Sequence, residues 1–88
     1  MSYTLFMMKA ETFAIADIYV PVKRRATLKP QTVDELAASI LEEGQKVPIM
    51  VRQDGKRLVL VEGLHRLEAC KALGETTILG YLVQARKH

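Results

Sequence analysis

The 88-residue chain has one cysteine and no long apolar run. A single cysteine, Cys70, cannot form an intramolecular disulfide. No apolar stretch reaches the roughly 18 residues of a membrane-spanning helix, and the first residues lack the pattern of a secretory signal peptide. Internal repeats and low-complexity segments are also missing. These absences predict a cytoplasmic protein of a reducing compartment, with no membrane as a partner.

The composition is that of an ordinary globular protein, with 49% hydrophobic and 26% charged residues. The length leaves room for one domain, which we assign to residues 13–88 after an N-terminal arm at residues 1–12. Thirteen Lys and Arg against ten Asp and Glu give a formal net charge of +3. This surplus suits anionic partners and weak, non-specific contacts with nucleic acid, but it identifies neither. Because so short a chain buries a limited share of its surface, we expect a ligand or a homodimer contact to stabilise it.

Two segments have the periodicity of amphipathic helices. Thr32 and Glu35 fit a capping box at the start of the first, and Gly44 is expected to end it. The second helix is predicted from about Leu64 to Leu73, before Gly74. The apolar stripes comprise Val33, Leu36, Ala37, Ile40 and Leu41 in the first helix and Leu64, Leu67, Cys70 and Leu73 in the second.

The first and last predicted strands are apolar segments near the two ends of the chain. The first runs from Phe13 to Val20, and its alternation slips by one residue after Ile15. The last runs from Thr77 to Val83, where Gly80 indicates a bulge or a close contact.

The two central strands, Val47 to Val51 and Leu58 to Val61, are predicted to form an antiparallel hairpin. The Asp54-Gly55 dipeptide favours a tight turn between them, and Pro48 is expected at the start or edge of its strand. The resulting order, β-α-β-β-α-β, indicates an α+β domain with two principal helices on a small mixed sheet. The pattern by itself also allows a ferredoxin-like sandwich.

The join between the third strand and the second helix carries the candidate chemistry. Gly63 lets the backbone approach a ligand closely, and the first amides of the following helix lack internal partners, so the join predicts an anion site. Arg66 offers a fork of donors to phosphate oxygens, and His65 offers one or two donors. The residues leave an alternative open, in which Gly63 only makes the turn, His65 is exposed, and Arg66 pairs with Glu62 or Glu68.

These segments together resemble the ParB N-terminal and sulfiredoxin superfamily. The resemblance runs from about Ile18 to Val83 and is carried by Arg25, Leu36-Ala37-Ala38-Ser39-Ile40, Gly44, Pro48-Ile49, Val51, Val61 to Ala69 and Leu73-Gly74. It implies a ParB/sulfiredoxin-like, nucleotide-binding fold in which the glycine-led motif at the start of the second helix holds phosphates. In ParB proteins this domain binds and hydrolyses CTP as a clamp switch, and related members bind ATP or have been labelled nucleases.

The resemblance also implies site residues. The implied phosphate-binding positions are Gly63, Leu64, His65, Arg66 and Arg25, and the implied nucleotide-pocket positions are Ser39, Gly44, Val47, Pro48 and Ile49. Val47 stands where ParB usually has a glutamine, and Glu68 replaces a later arginine of the phosphate motif. The expected function is binding of a CTP-type or ATP-type nucleotide or of another phosphoanion, with Mg²⁺ accompanying the nucleotide. Nucleotide hydrolysis or phosphotransfer could follow, and the residues do not decide it.

Three other activities are less expected from the sequence. Leu64 stands where sulfiredoxin has its catalytic cysteine, so sulfinic acid reductase activity is not expected. No His, Asp and Glu cluster has metal-binding spacing, so no metal site is assigned and a nuclease is less expected. The helix-turn-helix and dimerisation domains of full ParB proteins are not expected to fit in the five residues after Val83, so sequence-specific reading of DNA is not expected. Weak, salt-sensitive phosphate contacts are left to Lys23, Arg24, Arg25 and the basic C-terminal tail, Arg86-Lys87-His88. The competing hypothesis is a non-enzymatic protein-interaction or DNA-associated regulatory module in which the phosphate motif is vestigial.

Overall fold

The computed structural model describes residues 9–84. The basic C-terminal tail and most of the predicted N-terminal arm lie outside the described residues, although β1 begins inside that arm. The helices are α1 (Val22–Arg25), α2 (Pro30–Glu43) and α3 (Leu64–Ala72). The strands are β1 (Glu11–Ala14), β2 (Ile18–Tyr19), β3 (Ile49–Asp54), β4 (Arg57–Glu62) and β5 (Thr77–Val83).

The five strands form one mixed sheet in the order β1-β5-β3-β4-β2. β1 pairs antiparallel with β5, and β3 pairs antiparallel with β4. The pairs β3-β5 and β2-β4 are parallel. This small mixed sheet confirms the predicted α+β class. It has five strands, whereas the β-α-β-β-α-β pattern of a ferredoxin-like sandwich supplies four, so that alternative is excluded.

The segment predicted as one strand, Phe13 to Val20, is instead divided between two strands. A 3-10 turn at Ile15–Asp17 separates β1 from β2, and these strands lie on opposite edges of the sheet. Ile15, where the alternation slips, is buried within the turn. The slip in the pattern therefore marks a change of strand, and the prediction of one continuous strand was wrong.

The start of α2 also differs from the prediction. The helix begins at Pro30, with Lys29 as its N-cap and without a hydrogen bond from a capping side chain. Proline is favoured at the first helical position because its fixed φ matches the helix and its missing N–H would have no partner there. The predicted capping box is therefore wrong, and Thr32 lies within the first turn of the helix.

The apolar stripe of α2 packs towards α3 and the core, except for its last member. Val33, Leu36, Ala37 and Ile40 are half-buried, whereas Leu41 is 77% exposed. Leu41 lies at the margin of the stripe, about 80° around the helix axis from Val33. Gly44 ends the helix with a φ of 80°, as predicted.

The hairpin between β3 and β4 confirms the predicted antiparallel pair. Asp54 pairs with Arg57 across a two-residue turn, and Pro48 directly precedes β3. The register of the β3-β4 pair shifts between Met50 and Val51, where β4 has one additional residue, Val61, and the predicted bulge is not at Gly80. The other prediction for Gly80, a close contact, is confirmed, since a Cβ at this position would lie 3.0 Å from Cγ1 of Ile49.

The core lies between α3 and the sheet. Leu64, Leu67 and Cys70 of the predicted α3 stripe are buried there, and α3 ends at Ala72, close to the predicted end. The largest fully buried side chains are Ile49, Leu60, Leu67, Val51 and Val83. Within residues 9–84, no helix is both long enough and apolar enough to cross a membrane.

Candidate functional site

The turn between β4 and α3 is built on Gly63. This residue has a φ of 107°, in the left-handed region that favours glycine. A Cβ at Gly63 would lie 2.5 Å from Cγ2 and 2.9 Å from Cβ of Ile49. The side of the glycine that a Cβ would occupy is therefore filled by the core. Glycine is required here by the backbone conformation and by packing, and not by the approach of a ligand on that side.

The first amides of α3 have no partner within the helix. The first helical hydrogen bond is donated by the N–H of Leu67 to the carbonyl of Gly63, at 2.9 Å, and no side chain caps the helix. The N–H groups of Leu64, His65 and Arg66 are therefore without intrahelical acceptors. Together with the helix dipole, such amides favour an anion at the start of a helix.

The start of α2 lies beside the start of α3. The backbone N–H of Lys29, the N-cap of α2, donates to Nε2 of His65 at 3.0 Å. The first helical hydrogen bond of α2 runs from the N–H of Val33 to the carbonyl of Lys29. The open ends of two helices therefore meet at one place, which local sequence patterns did not reveal.

A cavity of about 360 Å³ opens at this meeting point. Three charged residues, Arg24, Arg66 and Glu62, line it. None of the ion pairs formed within residues 9–84 includes either arginine. The remaining lining residues are Thr27, Thr32, Leu36, Gly63, Leu64 and His65. The cavity thus combines unpaired cationic side chains with open amides, an arrangement that can hold a phosphate or a similar anion.

The structure brings four of the five predicted phosphate-binding positions into this cavity, namely Gly63, Leu64, His65 and Arg66. The fifth, Arg25, lines a neighbouring cavity of about 250 Å³ with Leu28, Glu68 and Lys71 among others. Arg24 instead lines the cavity where α2 and α3 begin. The run Lys23-Arg24-Arg25 signalled the cations, but successive residues of a helix point about 100° apart, and the sequence did not show which one faces the site.

Two parts of the alternative interpretation, an exposed His65 and an ion pair of Arg66 with Glu62 or Glu68, do not describe the contacts. His65 is half-buried, and Arg66 makes no ion pair with Glu62 or Glu68 within the described part of the chain. Glu68 pairs instead with Nζ of Lys71, at 3.1 Å. The guanidinium of Arg66 is therefore left without a carboxylate partner.

The five predicted nucleotide-pocket positions do not line this cavity. Ser39 is exposed on α2, Val47 is 52% exposed, and Pro48 is half-buried before β3. Gly44 lines a different cavity, at the far end of α2, and Ile49 is fully buried beneath Gly63. Any contact of these residues with a nucleobase stays a prediction.

Cys70 is buried in the core, as predicted, with 2% of its surface exposed. Burial raises the pKa of its thiol, and the nearby Glu75 carboxylate raises it further, whereas Arg66 lowers it. A thiol of raised pKa is a poor nucleophile at neutral pH. Within residues 9–84, no three His, Cys, Asp or Glu side chains are grouped to hold a metal ion.

The fold defines a class of protein, the ParB/sulfiredoxin-like domain. Sulfiredoxin from Arabidopsis thaliana shares the fold with a TM-score of 0.74 and 30% sequence identity, over 91% of this chain and 86% of that one. The C-terminally truncated chromosome-partitioning protein ParB from Caulobacter crescentus, complexed with CTP-γ-S, has a TM-score of 0.76 and 23% identity. That match covers 90% of this chain and 46% of the other.

The sequence places the chain within this class. The ParB N-terminal domain model matches residues 7–88, and the chain belongs to that family. A probable chromosome-partitioning protein ParB from Campylobacter jejuni subsp. jejuni serotype O:2 is 39% identical over 62 residues. The alignment covers 70% of this chain and 22% of that protein, so the chain spans about a fifth of the curated relative it matches.

Proposed function

We propose that this domain binds the phosphate groups of a nucleotide in the cavity where α2 and α3 begin. The observation that carries the proposal is the convergence of two helix starts that no side chain caps with Arg24 and Arg66, which form no ion pair within residues 9–84. Membership of the ParB N-terminal family supports it, as does the fold shared with a ParB that was crystallised with CTP-γ-S. CTP and ATP are the ligands to test first.

Mg²⁺ would arrive with the nucleotide rather than occupy a site made by the protein. Glu62 is the one carboxylate that lines the cavity within the described residues, and one carboxylate does not make a cation site by itself. Mg²⁺ is commonly held by one or two carboxylates together with substrate phosphates. Hydrolysis of the nucleotide is a further proposal that this geometry does not require.

The wider role we propose is the nucleotide-binding part of a chromosome-partitioning protein. The family and the Campylobacter relative support this role. Weak contact with nucleic acid through the basic residues of α1 would be compatible with it, since Lys23 and Arg25 are exposed.

The direct test is calorimetric titration of the protein with CTP, ATP, GTP and inorganic phosphate, each with and without Mg²⁺. A ligand that binds only the native state stabilises it by about 2.7 kcal/mol at roughly a hundredfold excess over its dissociation constant, so thermal unfolding provides a second measurement. Absence of binding by all four ligands would contradict the proposal and favour the interaction module.

Arg66→Ala should weaken phosphate binding about ten- to a hundredfold, because a charge-assisted hydrogen bond is worth roughly 1.5 to 3 kcal/mol. Arg66→Lys should recover only part of the affinity, since lysine restores the charge without the planar fork. Arg24→Ala should weaken binding less, because Arg24 does not belong to the first turn of α3.

The matched control is Arg57→Ala. Arg57 lies at the opposite end of β4 from Glu62, about 17 Å away along the strand, where it pairs with Asp54 and stacks on Tyr19. Its removal changes the net charge by the same amount as Arg66→Ala. Equal losses of affinity in the two variants would show that the attraction is a general effect of net charge and not a site.

A further inference from the structure

His65 makes a hydrogen bond whose direction is opposite to the one expected from its place in the phosphate motif. The backbone N–H of Lys29 points at Nε2 of the imidazole, at 3.0 Å, across 36 residues of sequence. A backbone amide can only donate, so Nε2 must be the acceptor and carries no hydrogen. The neutral ring then holds its hydrogen on Nδ1. Nε2 is therefore not available to donate to a phosphate.

The bond from Lys29 to His65 lies at the start of α2. Lys29 is the N-cap of α2, no side chain caps that helix, and Pro30 has no N–H of its own. The bond therefore joins the chain entering α2 to the first turn of α3. Thr32, in the first turn of α2, lines the cavity between them.

We propose that His65 is a positioning residue, which holds the start of α2 against the start of α3 so that both helices face the same anion. This inference rests on the proposed function, since it explains how that cavity is assembled. Protonation of His65 would place a hydrogen on Nε2, opposite the N–H of Lys29, and two donors cannot bond. The anion affinity should then fall on acidification. A histidine that bound phosphate directly would show the opposite sign, because its positive charge would attract the anion.

Other charged groups lie around the imidazole and can also contribute to the pH dependence of anion binding. Arg24 from α1, Glu62 from the end of β4 and Arg66 from α3 line the same cavity. The substitution His65→Gln separates their contribution from that of the imidazole. The side-chain oxygen of the glutamine reaches the place of Nε2 and can accept a hydrogen bond from the N–H of Lys29, but the amide does not become protonated between about pH 5 and pH 8. His65→Asn is the matched control, because the same amide on a shorter stem cannot reach that place.

The experiment measures sulfate binding by NMR titration from about pH 8 to about pH 5, the range in which histidine changes its charge. Sulfate is chosen because its own charge is constant over that range, unlike that of a terminal phosphate. All variants carry His88→Gln, which removes the second of the two imidazoles in the chain. The protein with His65 should lose affinity about two- to tenfold on acidification, as befits one hydrogen bond. The sulfate affinity of His65→Gln should equal that of the protein with His65 at about pH 8 and should stay constant on acidification. His65→Asn should bind sulfate more weakly by a similar factor over the whole pH range.

Two results would overturn the positioning role. One is tighter sulfate binding at low pH that is lost in both variants, which identifies a direct ligand. The other is equal binding by the Gln and Asn variants. A ¹⁵N spectrum of the imidazole tests the bond without any ligand, since it should show hydrogen on Nδ1 and not on Nε2 at about pH 8. If the spectrum shows that tautomer but neither sulfate nor a nucleotide binds, the proposed function fails and the bond serves the fold alone.

Discussion

Replacing Gly63 by alanine should destabilise the domain by two separable effects. The first is the backbone, because an L-residue in the left-handed region costs roughly 1–2 kcal/mol. The second is steric, because the new Cβ would lie 2.5 Å from Cγ2 of Ile49 and 2.9 Å from its Cβ. Neither atom is at the end of a flexible side chain, and overpacking of a core typically costs about 1–3 kcal/mol. The expected loss is about 2–5 kcal/mol.

That loss is a large part of the total stability. At about 0.05–0.15 kcal/mol per residue, the free energy of unfolding of this chain should be about 4–13 kcal/mol. Urea unfolding followed by far-ultraviolet circular dichroism measures the difference between variants. Gly74→Ala is the control for the backbone effect, because Gly74 has a φ of 79° but nothing lies within 4 Å of its Cβ position. It should lose only about 1–2 kcal/mol.

A second pair of substitutions isolates the contact with Ile49. Ile49→Leu moves the branch away from Cβ and so removes Cγ2 at nearly constant volume, whereas Ile49→Val keeps Cγ2. Gly63→Ala should therefore cost about 1 kcal/mol less in the Leu background than in the Val background. If Gly63→Ala costs no more than Gly74→Ala, or if the two backgrounds give the same cost, the steric reasoning is refuted.

Substitutions of Gln45 and Cys70, with Gln53→Ala as a control, test contacts away from the cavity. The side-chain amide of Gln45 exchanges two hydrogen bonds of 2.8 Å with the backbone of Leu79, so Gln45→Ala should cost about 1–3 kcal/mol in urea unfolding and speed hydrogen exchange of the Leu79 amide. Gln53→Ala, which removes one exposed hydrogen bond, should cost under about 1 kcal/mol, and equal costs would contradict the role of Gln45. Because burial raises the pKa of the Cys70 thiol, the unfolded chain loses the thiol proton at a lower pH than the folded chain does. The free energy of unfolding should therefore fall as the pH rises above about 8.5. Cys70→Ser should lose less stability over that range and keep its anion affinity; an unchanged pH slope, or lost binding with an intact fold, would contradict this.

Much of the fold was predictable because its signals are local. The hairpin followed from a two-residue turn between apolar segments, and α3 from an apolar stripe that begins and ends beside glycines. Gly63 could be singled out as the start of a candidate anion site for the same reason, since the open amides belong to the helix that it precedes. Turn chemistry and helical periodicity depend on neighbours within a few residues, and the sequence contains those neighbours.

The sequence by itself therefore determined the α+β class, the two principal helices, and the glycine-led motif of the candidate site. Only the tertiary structure decided that residues 13–20 divide between opposite edges of the sheet and that Arg24, not Arg25, faces the cavity. It alone placed Nε2 of His65 against the N–H of Lys29. These features depend on the spatial order of the strands in the sheet, on the orientation of the four-residue helix α1 about its axis, and on a contact between residues 36 positions apart. Such relations arise when separate elements pack together, and no local pattern of residue types encodes them.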